Sequence, residues 1–142
     1  MTEQNVFEKC RDFHLLEKHR MDSFKQWPFD EEAPCSVSKM AEAGFYWSGS
    51  SSDPDTVTCF LCTKSLDGWE PTDDPWKEHA KHAPQCLFVQ YGRKESDLLL
   101  EEFLKIYKTV LKNKFTADIN GFKKSFSSAA ADELSNYIEN KK

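Results

Sequence analysis

The 142-residue sequence predicts an α+β fold in two parts: a small module with a three-stranded antiparallel sheet and short helices, then one long α-helix. Three observations carry this prediction. Cys59, Cys62, His79 and Cys86 follow the pattern C-x2-C-x16-H-x6-C, with the ligand types and number of a closed tetrahedral metal site. Short runs of β-branched and aromatic residues lie around those ligands, separated by Gly, Pro and Ser-rich turns. From Leu98 onward the apolar residues step by threes and fours with no turn-rich interruption. The expected boundaries are residues 1–92 for the module, 93–97 for a linker and 98–142 for the helix.

Within the module, Phe13 to Trp27 reads as an amphipathic opening helix with Leu16, Arg20, Phe24 and Trp27 on related faces, ended by Pro28. Ser36 or Ser38 is placed to cap a second helix through Lys39–Ala43, and Gly44 to terminate it. Phe45-Tyr46-Trp47 is a short strand, and Ser48 to Asp55 a polar loop. Val57 to Cys62 reads as a strand ending in a metal knuckle, and Lys64 to Asp67 as another strand before a turn at Gly68. Asp74-Pro75 is a helix start, an acidic cap followed by proline at the first helical position, with the helix stopping near Pro84.

Three thiolates and one imidazole make a closed zinc set that leaves no position for water or substrate, so the site is structural. A redox dithiol at Cys59-x-x-Cys62 would want a βαβ context, which the pattern lacks. A secreted disulfide pair is disfavoured because no signal peptide is read and five cysteines leave one unpaired. Spacing alone leaves His82, four residues before Cys86, as an alternative to His79. Cys10 and Cys35 are expected to be packed or surface thiols, in a reducing cytosolic or nuclear compartment.

The net charge of −5 conceals an asymmetry: residues 1–92 hold 9 Lys/Arg against 16 Asp/Glu, and residues 93–142 hold 10 against 8. An acidic module is a poor direct ligand for duplex DNA and suits a basic or free-amine partner. No apolar run is long enough for a membrane span. The absence of an open metal position, a phosphate loop and a nucleophile–base pair argues against an enzyme.

The helical stripe comprises Leu100, Phe103, Leu104, Tyr107, Leu111, Phe115, Ile119, Phe122, Phe126, Ala130, Leu134 and Tyr137. A helix of about 40 residues is about 60 Å long and cannot bury such a stripe on itself. Asn120-Gly121 is its weak point, open to a bend or to a hairpin folding back; the continuous partner-binding helix is the favoured reading.

These residues resemble the baculoviral inhibitor-of-apoptosis repeat (BIR). The likeness rests on Arg20-Met21-Asp22-Ser23-Phe24 with Trp27-Pro28, and on Met40-Ala41-Glu42-Ala43-Gly44-Phe45. Gly68-Trp69-Glu70-Pro71 and Asp73-Asp74-Pro75 complete it, together with the ligand pattern. It spans roughly residues 13–111, and beyond Lys112 it holds only in pattern. One repeat followed directly by a long helix is similar to the single-repeat members of the family. That resemblance implies a non-enzymatic subunit of the chromosomal passenger complex. Such a subunit reads a phosphorylated histone tail beginning Ala-Arg-Thr and places Aurora B kinase at centromeres in mitosis. The implied locations are the nucleus, centromere, spindle midzone and cytoplasm.

The resemblance further implies that His79 rather than His82 holds the single structural zinc ion. A ligand peptide would add to the strand edge around Lys64 to Trp69. Leu66 and Trp69 would enclose its first side chain, Asp67 and Asp73 its ammonium, and Lys64 and His82 its phosphothreonine. Inner centromere protein and a borealin-like protein would each lay a helix beside residues 98–142. Without them, a homodimer would use Leu98, Leu100 and Phe103 with the N-terminus. Three departures are present: Asp67 stands where the family commonly has Glu, Thr72 replaces an acid, and Ser36-Val37 replaces a proline-directed phosphorylation site. The second implied function is an apoptosis inhibitor that binds caspases or Ala-initiated pro-apoptotic peptides.

Overall fold

The computed structural model describes residues 11–140. Among these the order is α1 (Glu17–Asp22), α2 (Val37–Glu42), β1 (Phe45–Trp47), β2 (Val57–Cys59) and β3 (Ser65–Leu66). Then come α3 (Pro75–His82), α4 (Leu87–Tyr91), a 3-10 turn (Glu95–Asp97) and α5 (Leu100–Asn140). The chain divides into two compact units, Met1–Val110 and Leu111–Lys142. Cys10 and the N-terminal segment expected in a homodimer lie outside the described residues.

The sheet of the first unit is antiparallel in the order β1-β2-β3. Phe45 faces Cys59 and Trp47 faces Val57, while Val57 faces Leu66 across the second pairing. Among the described residues β3 is therefore an edge strand, with only β2 beside it. Phe45, Met40, Phe88, Val57 and Ile106 are fully buried, and Trp76 stacks on Phe88 at 5.2 Å.

The opening helix is shorter than its periodicity predicts. It spans Glu17–Asp22 because His14 takes a left-handed φ of 53° ahead of it. Behind it the Ser23 hydroxyl donates to the Arg20 carbonyl at 2.6 Å and accepts the Trp47 N–H at 2.8 Å, turning the chain toward the sheet. The metal strand likewise ends at Cys59, since Phe60 to Cys62 form the knuckle rather than a ladder.

Of the two candidate caps Ser36 is the one used: it accepts the Lys39 N–H, and α2 starts at Val37, two residues before the expected Lys39. Gly44 follows at φ +98°, and a Cβ there would meet the Phe88 ring at 3.0 Å, so both backbone and space demand glycine. Ser36 is buried as well as capping. Ser36→Ala is expected to cost about 1 kcal/mol, read as a lower denaturant midpoint in the zinc-loaded protein.

Helix α5 runs without interruption through Gly121. Its first three turns carry two apolar faces. Ile106 and Val110 are buried in the core of the first unit, and Phe103 and Tyr107 pack against that core, as does Leu98. Leu100 and Leu104, by contrast, are exposed. The sequence stripe merges these two sets and omits Ile106 and Val110. No helix among the described residues is long and apolar enough to cross a membrane.

Candidate functional site

The β2 knuckle supplies Cys59 and Cys62, α3 supplies His79, and Cys86 precedes α4. Their ligand atoms lie within 4.8 Å of one another. The Cys59 and Cys86 sulfurs are 3.9 Å apart, and Cys62 Sγ is 3.6 Å from His79 Nε2. Tetrahedral zinc with bonds of about 2.3 Å to sulfur and about 2.0–2.1 Å to nitrogen requires S–S edges near 3.8 Å and S–N edges near 3.6 Å. The donor set fits, and so do these two edges. His79 Nδ1 donates to the Ala43 carbonyl at 2.8 Å, which fixes the tautomer and leaves Nε2 for the metal. His82 instead faces Glu78, with Nε2 3.4 Å from its carboxylate. Cys59, Cys62, His79 and Cys86 are a zinc-binding cluster, and His82 is outside it.

Electrostatics explains why the cluster needs its ion. Burial pulls the His79 imidazole down, but hydrogen bonds to Cys62 and Cys86 outweigh it and lift the pKa to about 9. Burial pushes the Cys59 thiol well up, and the neighbouring thiols push it the same way. Hydrogen bonds from Cys59, Cys62 and His79 instead pull Cys86 far below the ordinary thiol range, so without metal one thiolate is held by a protonated imidazole and a protonated Cys59. Zinc supplies the positive charge that lets the thiols ionise together.

A second buried cation braces the same region. Arg20 is 1% exposed and lies over the Phe60 ring at 4.4 Å. Its Nε donates to the Ala41 carbonyl at 2.9 Å, and one terminal nitrogen donates to the His14 and Leu15 carbonyls. Arg20 and His79 thus grip carbonyls two residues apart, at Ala41 and Ala43, at the C-terminal end of α2.

Next to β3 lies a cleft of about 270 Å³ lined by Lys64, Leu66, Asp67, Trp69, Asp73 and His82, with Glu78 on the same wall. Asp55 holds the backbone of two lining residues, its carboxylate accepting the Gly68 N–H at 2.8 Å and the Trp69 N–H at 3.0 Å. Asp73 Oδ2 accepts the Glu70 N–H at 2.8 Å, which closes the Glu70–Asp73 turn. Trp69 is buried against Trp27 and Phe45. All six residues anticipated for peptide binding therefore line one cleft. Glu78 was missed, although its spacing of four from His82 on a helix was a signal that could have found it.

Residues 20–90 match the BIR family, described as Inhibitor of Apoptosis domain. The chain belongs to the BIR family. Over 111 residues it is 43% identical to baculoviral IAP repeat-containing protein 5 of Rattus norvegicus, covering 78% of each chain. It is 41% identical over 115 residues to the protein of the same name from Mus musculus, covering 81% of this chain and 82% of that one. Baculoviral IAP repeat-containing protein 5.2-B of Xenopus laevis is 42% identical over 120 residues, 84% of this chain and 76% of the relative. Within the BIR family, its relatives are thus of the survivin type, as the resemblance in the sequence implied.

Proposed function

We propose that this BIR protein is a non-enzymatic adaptor that reads a phosphorylated histone tail beginning Ala-Arg-phosphoThr. In this reading it helps place Aurora B kinase at centromeres during mitosis and cytokinesis. The observation that carries the reading is the cleft beside the edge strand β3, where carboxylates share one groove with Lys64 and His82. An extended peptide adds to β3 through main-chain hydrogen bonds. Its ammonium meets Asp67 and Asp73, with Glu78 adding a third negative charge nearby, and Leu66 and Trp69 enclose the alanine methyl. A phosphothreonine carries roughly −1.5 to −2 charges and requires compensation in this acidic setting, which Lys64 and His82 supply.

The exposed face of α5 supports the other half of the adaptor role. Helices from inner centromere protein and a borealin-like protein would cover it and connect the repeat to the kinase. This assigns the protein to the nucleus, with centromere and spindle midzone locations in mitosis and a cytoplasmic pool. A second reading, apoptosis inhibition through caspases or Ala-initiated pro-apoptotic peptides, draws on the same acids, because any free N-terminal alanine suits them.

Calorimetry on the zinc-loaded protein separates the two. The phosphorylated Ala-Arg-Thr peptide is expected to bind about 10-fold more tightly than the unmodified one, about 1.4 kcal/mol, and acetylation of its N-terminus to abolish binding. Lys64→Ala with His82→Ala should remove the phosphate preference, while Asp73→Asn should weaken every free-amine peptide. Equal or stronger binding of an Ala-initiated apoptotic tetrapeptide would defeat the histone-tail reading and favour the second.

A further inference from the structure

Strand β3 is held to β2 by a short pairing, Val57 with Leu66 and Thr58 with Ser65. The Cys59 N–H bonds the Lys64 carbonyl at 3.0 Å, so main-chain bonds flank the Thr58–Ser65 pair and do not join its two members. The N–H and C=O of Ser65 therefore point away from β2, toward the outer edge of the sheet. Those of Thr58 point the other way, toward Tyr46, its register partner in β1. Ser65 thus presents its main chain to an added strand, and Thr58 is anchored in the sheet behind it.

Side chains join the strands a second time. Tyr46, Thr58 and Ser65 form one row on the sheet face opposite Phe45 and Cys59. The Thr58 hydroxyl is 2.8 Å from the Ser65 hydroxyl and 2.7 Å from that of Ser48, which follows β1. One proton and two lone pairs let a threonine hydroxyl make both bonds at once. Thr58 is buried, whereas Ser48 and Ser65 are exposed. The hydroxyl chain Ser48–Thr58–Ser65 crosses all three strands and ends on the outer one.

We infer that Thr58 is a positioning residue for the bound peptide: its hydroxyl fixes Ser65, and with it the outer edge of β3, in the conformation to which an extended peptide adds. The inference deepens the proposed function and rests on its strand-addition step, but not on which free-amine peptide is bound. So short a pairing opens readily on its own, and an edge that must first be ordered binds its ligand more weakly. Ser65 lines the peptide cleft with Thr56 and Lys64, and Thr58 does not. Its loss must therefore weaken every peptide that adds to β3 by the same factor, phosphorylated or not.

The decisive variant is Thr58→Val, which keeps the shape of the side chain and removes the hydroxyl. Ser48 and Ser65 are exposed and turn to water, so the fold and the zinc content are expected to persist. The register directs the Leu66 N–H at the Val57 carbonyl, and in the zinc-loaded full chain without ligand its hydrogen exchange should quicken several-fold. By calorimetry, the phosphorylated and unmodified Ala-Arg-Thr peptides and an Ala-initiated tetrapeptide should all lose about 3- to 10-fold in affinity, the range set by ordering one further side chain. Thr58→Ser, with the hydroxyl but not the methyl, should restore both readouts, which a packing role would not allow. Ser65→Ala, at an exposed position, should match Thr58→Val, and the two together should add nothing. Leu66 exchange that stays at the wild-type rate in Thr58→Val and Ser65→Ala overturns the proposal. Undiminished peptide affinity in Thr58→Val overturns it alone, whereas a wild-type protein that binds none of the peptides defeats it together with the proposed function.

Discussion

Stripping zinc from this protein is expected to unfold the first unit completely. Structural zinc in small domains supplies apparent free energies of about 10–16 kcal/mol near neutral pH, as large as or larger than the whole stability of a typical domain. Cys59, Cys62, His79 and Cys86 join the sheet, α3 and the start of α4, so their release frees three elements at once. All four tryptophans, Trp27, Trp47, Trp69 and Trp76, lie in that unit. Chelation should therefore red-shift the whole tryptophan emission as one equivalent of zinc is released, while residues 111–140 retain helical signal. The metal must displace protons from Cys59, pushed well up by burial, and from His79, whose pKa stands at about 9 without it, so acid weakens binding and alkali strengthens it. Unchanged emission after stoichiometric zinc loss would show that the apolar core alone holds the unit.

Arg20→Met is expected to be the most damaging single substitution away from the metal. Burial lowers the guanidinium pKa to about 10, with Glu95 opposing that fall, and it remains charged at neutral pH. Its partners are carbonyls of His14, Leu15 and Ala41. Hydrogen bonds to a buried charge are worth about 1.5–3 kcal/mol each, and orphaned buried carbonyls add their own desolvation cost. A loss of about 3–5 kcal/mol follows, read from urea unfolding of the zinc-loaded protein at fixed free zinc. Arg20→Lys should recover little of it, because an ammonium cannot present the planar fork that reaches carbonyls on two segments. A loss below about 1 kcal/mol for Arg20→Met would contradict the clamp and reduce Arg20 to a packed aliphatic stem.

The parts of this molecule that were legible in the sequence are those fixed by local chemistry. The Asp74-Pro75 start of α3, the Ser36 cap of α2 and the Gly44 stop each depend on a few neighbouring residues. The three zinc cysteines were legible because metal geometry restricts residue type and spacing together, whereas the choice of His79 over His82 came from the family likeness. Nonlocal contacts were not. The opening helix was read too long because the diversion at Ser23 depends on Trp47, a residue 24 positions away. Ile106 and Val110 were passed over because periodicity cannot say which of two apolar faces meets a core. In the cleft, the expected residues came from family likeness, whereas Glu78 needed the geometry of α3.

The two faces of α5 have a consequence for how such a protein can change over time. Phe103, Ile106, Tyr107 and Val110 answer to the packing of the zinc module, so a substitution there is tested by whether the chain folds. Leu111 onward answers to whatever lies against the exposed face, so a substitution there is tested by what the chain associates with. A lineage can exchange its associates by rewriting the distal helix while the proximal turns stay fixed. The same division gives an experimenter a natural seam: after Val110, one BIR module can carry a different helix and keep its fold.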